Sequence, residues 1–191
     1  MERGLLIRPE TTGSNGMILS THALVGAAIA SFVPSHPATA FALGFASHFV
    51  LDAIPHWDYP IQSASLDPKV GAPLRFDRAL VQDALTIGFD GLFGVIGALL
   101  LFASVETRWV VLLGAFGAML PDALLFVYGL WPHEPLKSLQ RFHRWCHSKR
   151  ELKDRVCLGI VSQLFLIIVV TAATMAAHNG SFLASAFAAA G

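Results

Sequence analysis

The chain has 191 residues, of which 54% are hydrophobic and 14% are charged, and its mean hydropathy is +0.60. A soluble domain carries about 25% charged residues, so this composition excludes an ordinary water-soluble globule and also a disordered chain. Thirteen Lys and Arg balance thirteen Asp and Glu, so the charge gives no reason to expect a nucleic-acid partner. The two cysteines, Cys146 and Cys157, have no disulfide-type spacing.

Five apolar stretches follow one another along the chain, and each is close to the ~17 to 25 residues that cross a bilayer as a helix. They cover residues 17–33, 37–54, 80–104, 110–131 and 156–177. Pro34 and Pro37 enclose a very short turn, which predicts an antiparallel hairpin of the first two stretches. Residues 134–149 have the pattern of an amphipathic helix that lies along the membrane surface. The predicted fold class is therefore all-α: an integral-membrane bundle of about five transmembrane helices plus one interfacial amphipathic helix, in a single domain over 1–191.

The basic residues predict the orientation of this bundle. Twelve Lys and Arg fall on the side that holds the N-terminus and the loops after the second and fourth stretches, whereas Arg108 is alone on the other side. The positive-inside rule then predicts a cytoplasmic N-terminus and an outside C-terminus. The start of the chain allows one alternative, because Arg3, Arg8, the apolar run 23–33 and the triplet 38–40 resemble a signal peptide.

Ionisable side chains are costly inside apolar segments and therefore indicate function. The stretches contain six of them: His22, His48, Asp52, Asp83, Asp90 and Asp122. The predicted topology places all but Asp90 in the cytoplasmic leaflet. Each also has a competing interpretation: His22, His48, Asp52 and Asp122 as helix caps or buried polar bridges between helices, and Asp83 and Asp90 as part of a proton or cation path.

In two pairs of polar residues the members are four positions apart, a spacing that predicts a metal site. His48 and Asp52 are four residues apart, so both side chains leave one helix face and can hold a single cation. His143 and His147 repeat the spacing in the interfacial segment, where basic neighbours also allow a lipid-headgroup patch. Imidazoles and carboxylates in such pairs suit zinc or a similar divalent ion, manganese included. The predicted metal ligands are His22, His48, Asp52, Asp122, His143 and His147.

A weak internal repeat supports a site between helices. LGFASHFVLDAI from Leu43 aligns with LGAFGAMLPDAL from Leu113, which places Asp52 on Asp122. HALVG at His22 aligns loosely with DALTIG at Asp83. Two hairpins would then each contribute polar groups to one enclosed site, as helical bundles with metal centres do.

The strings THALVG at 21–26, SHFVLD at 47–52, LPD at 120–122 and HRWCHS at 143–148 resemble the membrane-bound metal-dependent hydrolase family, also described as LexA-binding, inner-membrane-associated hydrolases. The resemblance implies a bacterial inner-membrane protein and assigns the family function to the same six predicted ligands. The chain differs from the family pattern in the order of its motifs, in lacking a second acid after Asp122, and in having Cys146 where Thr is usual. HFVLDAIPH is also similar to the HxxxD helix of zinc-dependent phospholipase C.

Three hypotheses of function follow. The first is a metal-dependent hydrolase in which metal-activated water attacks a phosphoester, with Asp83 as general base and Arg144, helped by Arg141, orienting an anionic group such as that of a phospholipid. The second is a proton or divalent-metal transporter, which Asp90 favours because it lies deeper than the other acids. The third is a membrane anchor or scaffold without catalytic activity. The sequence predicts the lipid bilayer as a partner and leaves any protein partner unknown.

Overall fold

The computed structural model describes residues 18–57, 61–63, 76–148 and 155–190, of which 181–190 are described by backbone course alone. These residues form helices and no strand, so the all-α prediction is confirmed. The six helices are α1 (Leu19–Ala30), α2 (Pro37–Asp52), α3 (Arg78–Phe102), α4 (Arg108–Leu130), α5 (Leu136–Cys146) and α6 (Val156–Ala190).

Within the described part of the chain, three helices are long and apolar enough to cross a membrane: α3, α4 and the Val156–Gly180 part of α6. Both ends of α3 and α4 lie within two residues of the predicted stretches. The predicted count of five spans is not confirmed, because α1 has 12 residues and α2 has 16. At ~1.5 Å per residue they are about 18 and 24 Å long, shorter than the ~30 Å hydrocarbon core of a bilayer.

The predicted orientation depends largely on residues outside the described part of the chain. Seven of the twelve basic residues on the predicted cytoplasmic side lie there: Arg3, Arg8, Lys69, Arg75, Lys149, Arg150 and Lys153. The placement of the two termini relative to a membrane therefore stays a prediction.

Glycines at the helix crossings bring α1, α2 and α4 together. A Cβ atom on Gly26 of α1 would lie 2.5 Å from the carbonyl oxygen of Gly114 and 2.5 Å from the Cβ of Ala118, both in α4. A Cβ on Gly44 of α2 would meet the same Gly114 carbonyl oxygen. Small residues at such crossings allow backbones to approach closely, which is the usual packing of membrane helices. The resulting close packing fixes the relative positions of the polar side chains that α1 and α2 carry.

The contacts between α2 and α4 follow the register of the predicted repeat. Gly44 lies against Gly114, and His48 is hydrogen-bonded to the carbonyl oxygen of Ala118. Each contact joins residues 70 positions apart, the offset of the alignment that places Asp52 on Asp122. The two helices therefore run parallel, and they bring Asp52 and Asp122 to the same end of the bundle.

The start of α1 lies part-way along α3. The backbone N–H of Ser20 donates to Oδ2 of Asp90 at 3.1 Å, which caps an α1 terminus that has no cap from its own preceding residue. Asp90 comes twelve residues after Arg78, so the start of α1 lies about 18 Å from the start of α3. The polar residues in the first turn of α1 are therefore deep in the bundle.

Helices α5 and α6 close the end of the bundle where α1 begins. Gln163 of α6 accepts a hydrogen bond from Thr21 Oγ1 at 3.2 Å and donates one to the carbonyl oxygen of Trp57 at 2.8 Å. The predicted amphipathic helix over 134–149 is present as the shorter α5, which buries Leu136, Gln140 and His143 on one face. Its position at a membrane surface stays a prediction.

Candidate metal centre

His48 is at the middle of a buried cluster of histidines and aspartates. Its ring is fully buried, and Nδ1 lies 2.8 Å from the carbonyl oxygen of Ala118. Because a carbonyl oxygen only accepts, Nδ1 carries the proton, and in the neutral ring Nε2 has a free electron pair. Metal-binding histidines are held in the same way, by a hydrogen bond from the second ring nitrogen to an oxygen. The fold therefore presents His48 Nε2 as a ligand.

Three further side chains direct polar atoms at His48 Nε2. Asp52 Oδ2 lies at 3.2 Å, His143 Nε2 at 3.0 Å and Asp122 Oδ1 at 3.6 Å. Ligand atoms bound ~2.0 to 2.1 Å from a tetrahedral zinc lie ~3.3 Å from one another, so these separations are close to those of one coordination sphere. The shortest separation, 2.6 Å between His143 Nε2 and Asp52 Oδ2, is that of a hydrogen bond and would lengthen if both atoms bound an ion.

His22 completes the cluster from α1. Its ring stacks on that of His48 with centroids 4.1 Å apart, and its Nε2 lies 3.4 Å from Asp52 Oδ1. Within the described residues, both nitrogens of His22 and the Oδ1 of Asp52 are buried without a hydrogen-bond partner. Buried polar atoms without a partner are rare in folded proteins and call for a ligand or another explanation. These atoms fit a cation site.

The charge of the cluster also fits a cation. Among the described residues, the ion-pair contacts of Asp52 and Asp122 are with the histidines of the cluster. Two carboxylates with no Lys or Arg partner among the residues that the structure describes need either protonated histidines or a bound cation to offset their charge. A divalent ion would offset both charges at once.

A second group of ligand atoms shares Asp52. It contains His56 and His147, and one ligand atom from each of the three side chains lies within 4.8 Å of the others. His56 Nδ1 donates to the carbonyl oxygen of Ile54 at 2.6 Å, which again leaves Nε2 as the ligand atom of a neutral ring. The predicted ligand set did not include His56, although its position four residues after Asp52 continues the spacing of His48 and Asp52.

The two histidines of the HRWCHS string therefore differ in position. His143 is on the buried face of α5 and contacts Asp52, whereas His147 follows the end of α5 and lies beside His56. The ring centroids of His143 and His147 are 6.4 Å apart. The i, i+4 spacing suggested one helical pair, but the helix ends at Cys146 and the two rings belong to two neighbouring groups of ligands.

Asp83 and Arg144, the predicted catalytic residues, have other contacts in the described part of the chain. Asp83 Oδ2 accepts from the backbone N–H groups of Gln62 at 2.9 Å and Ser63 at 2.7 Å, so it anchors a loop segment. Arg144 is exposed, and its Nε donates to the carbonyl oxygen of Gln140 at 3.4 Å. Neither residue belongs to the groups of converging ligand atoms.

Gln140 is a buried polar residue on the same face of α5 as His143, and it is not among the predicted site residues. Its side chain is 2% exposed, and neither amide atom has a hydrogen-bond partner within the described residues. It precedes His143 by three positions on the buried face of α5. That spacing is the only signal in the sequence that links it to the cluster.

Cys146 does not join the ligand groups that the described residues form. Burial, with a smaller contribution from the negative charge of Asp52, raises the pKa of the Cys146 thiol. A cysteine binds metal as the thiolate, and Cys146 is absent from the ligand groups of the described residues. The cluster is therefore one of nitrogen and oxygen donors.

An apolar cavity of about 620 Å³ adjoins the cluster, between α3 and α4. Its walls include Gly88 and Leu92 from α3 and Met119 and Phe126 from α4. Asp122 also lies on its wall and is the one ionisable residue among the residues that line it. Asp122 thus faces both the cavity and the ligand cluster.

Comparison with known proteins gives no match to this chain among family models, curated proteins or solved structures. The resemblance to the membrane-bound metal-dependent hydrolases therefore stays a prediction. The assignment of a function depends on the geometry of the cluster alone.

Proposed function

We propose that this protein is a membrane-embedded, metal-dependent hydrolase whose site lies on the cytoplasmic side of a bacterial-type inner membrane. The observation that carries the proposal is the convergence of His22, His48, Asp52, Asp122 and His143 from α1, α2, α4 and α5 in a buried cluster. A single hydrogen bond is enough to hold two helices together. A role in helix pairing therefore does not explain why four helices contribute five ionisable side chains.

The donor set suggests how a metal would be held. His48, His143, Asp52 and Asp122 would bind one divalent ion, because their ligand atoms are 2.6 to 3.8 Å apart. His56 and His147 would bind a second ion, with Asp52 shared between the two. Nitrogen and oxygen donors in this number suit zinc, and manganese is the next choice. An ion bound there lowers the pKa of a coordinated water from ~15.7 towards ~7 and so supplies a nucleophile.

The residues beside the ligands have distinct proposed roles. For the general base we favour His22 over Asp83, because His22 stacks on the ligand His48 and has ring nitrogens without a hydrogen-bond partner among the described residues, while Asp83 holds a loop. Arg144 is exposed on α5, one residue after His143, and would attract an anionic group as it approaches the site. A phosphoester is the substrate class that these groups fit.

The depth of the cluster favours an amphiphilic substrate. Asp122 comes eight residues before the end of α4, about 12 Å along the helix axis. We propose that α1 and α2 cross the membrane as a short hairpin packed among α3, α4 and α6, which completes five crossings. A phosphoester carried by a membrane lipid would reach a site at this depth, and an anionic phospholipid is the simplest example.

The alternatives have less support. The transporter hypothesis depended on Asp90 as a proton- or ion-binding position deep in the membrane. In the structure, Asp90 instead caps α1 by accepting a hydrogen bond from the N–H of Ser20. A scaffold would give the buried cluster no role beyond helix pairing. Neither alternative is favoured by a specific contact.

A phosphoesterase screen on detergent-purified protein with added zinc or manganese tests the proposal. We expect activity that a chelator removes and that His48→Ala abolishes. His36→Ala is the matched control, because His36 is an exposed histidine that precedes α2 at its opposite end. Activity that survives in the His48→Ala variant, or that is equally low in both variants, would refute the proposed site.

A further inference from the structure

We infer that the cavity between α3 and α4 binds the hydrocarbon chain of an amphiphilic phosphoester whose polar group reaches the metal centre at Asp122. This inference rests on the proposed function and names the substrate class of that site. It assigns a binding role to a surface that no step of the proposed hydrolysis uses.

The residues that line the cavity favour a hydrocarbon chain as its ligand. The cavity has a volume of about 620 Å³, within the ~300 to 1,000 Å³ range of small-molecule sites. Its walls are apolar except at Asp122, so a peptide or a sugar would leave its own polar groups without partners. A hydrocarbon chain has no such groups.

The position of Asp122 determines how the hydrocarbon chain would be oriented in the cavity. Asp122 Oδ1 lies 3.6 Å from His48 Nε2 and 3.8 Å from His143 Nε2, and Asp122 is also one of the residues that line the cavity. A molecule with its apolar end in the cavity therefore has its other end beside the proposed ligands. A single-chain or double-chain phosphoester has this polarity.

The outer face of α3 is consistent with entry from a lipid phase. Phe89, Phe93 and Leu100 are each more than half exposed and are not among the residues that line the cavity. Such residues on a helix that is apolar on all sides are typical of contact with lipid. A chain in the bilayer would reach the cavity without passing through water.

Gly88 offers a direct test because it lies on the cavity wall, and a Cβ there meets no atom within 4 Å. Gly88→Leu therefore adds an apolar side chain at the cavity wall, and its Cβ has room there. Gly129→Leu is the matched control, since Gly129 is a helical glycine with the same open surroundings and is not among the lining residues. Ala123→Leu fills the cavity from the opposite wall and serves if Gly88→Leu does not fold.

The assay is kcat/KM for water-soluble alkyl phosphoesters with chains of two to eight carbons. Burying one methylene contributes ~0.8 kcal/mol, so at ~1.4 kcal/mol per tenfold we expect kcat/KM to rise by up to about fourfold per added carbon. The Gly88→Leu variant should lose this dependence on chain length but keep its activity on the shortest ester, and Gly129→Leu should retain both. A profile that is flat in the wild type, or unchanged in the Gly88→Leu and Ala123→Leu variants, would overturn the inference and leave the proposed hydrolase intact.

A binding measurement with compounds that are not hydrolysed tests the inference independently of catalytic activity. We would measure the affinity of ethylphosphonate and octylphosphonate, which are not hydrolysed, for the protein in lipid nanodiscs, with empty nanodiscs as the blank. The inference predicts tighter binding of octylphosphonate and loss of that preference in Gly88→Leu. Equal affinity of the two phosphonates would contradict it. Octyl preference without any esterase activity would refute the proposed function and support the chain site.

Discussion

Replacing Asp52 with Asn removes the carboxylate that three histidines of the cluster face. Its oxygens lie 3.4 Å from His22 Nε2, 3.2 Å from His48 Nε2 and 2.6 Å from His143 Nε2, and the side chain is 1% exposed. The substitution keeps the shape of the side chain and removes its charge. It therefore tests whether the cluster needs an anionic ligand to hold a cation.

The expected size of the effect follows from the linkage between binding and stability. An ion present at 1,000 times its Kd stabilises the folded state by about 4.1 kcal/mol, and each kcal/mol raises Tm by ~2 to 4 °C in a chain of this size. Zinc should therefore raise the Tm of the wild type by about 8 to 16 °C. Loss of an orienting group beside a metal weakens binding by ~10- to 100-fold, and a lost ligand should cost at least the upper value. At the same zinc concentration, the Asp52→Asn variant would gain at most about 1.4 kcal/mol, or ~3 to 6 °C.

Thermal unfolding of the detergent-purified protein, with zinc and with a chelator, measures this difference. The quantity to compare is the zinc-induced shift within each variant, because Asn also changes the stability of the metal-free protein by removing a hydrogen bond to a charged group. Asp90→Asn is the matched control: it removes another Asp charge of the bundle but leaves the ligands in place. If Asp52→Asn and the wild type show the same zinc-induced shift, the reasoning about the cluster is wrong.

Three further predictions concern packing, capping and Gln140. Gly114→Ala should lower the free energy of unfolding by ~1 to 3 kcal/mol or more in denaturant titrations, because its Cβ would overlap α1; Gly129→Ala, in open space, should not, and equal stability of both would contradict the packing. Asp90→Ala should lower the free energy of unfolding by ~0.5 to 2 kcal/mol through the lost cap of Ser20 while kcat stays unchanged, and a selective loss of kcat would contradict this structural role of Asp90. Gln140→Leu should raise Tm, since it removes two unpartnered amide atoms, and we expect it to lower activity; higher Tm with full activity would leave the amide no catalytic role.

Much of the helical framework could be predicted because length and hydropathy determine which segments fit a bilayer. The prediction located α3 and α4 to within two residues at each end. The His48–Asp52 pair was also predictable, since a four-residue spacing places two side chains on one helix face whatever the tertiary structure. The repeat predicted that Asp52 and Asp122 lie together, and the parallel register of α2 and α4 brings both within reach of His48.

The rest depended on tertiary contacts that a linear pattern does not contain. His22 and Asp83 occupy matching positions in the repeat, but only His22 joins the cluster, because α1 packs against α4 while the carboxylate of Asp83 binds a loop. The role of Asp90 depends on α1 starting half-way along α3, which no local pattern indicates. The separation of His143 from His147 follows from the end of α5 at Cys146, a boundary that periodicity alone does not give.

The metal centre is tested most directly by measuring the ion itself. Protein purified without chelators is analysed for bound metals by mass spectrometry. The ligands of the main metal are then identified from the fine structure of its X-ray absorption spectrum. We expect at least one zinc or manganese ion per chain with imidazole nitrogens and carboxylate oxygens as neighbours, and less than a tenth of that content in His48→Ala. A wild-type protein without a stoichiometric divalent ion after equilibration with zinc, or an ion bound by cysteine sulfur, would contradict it.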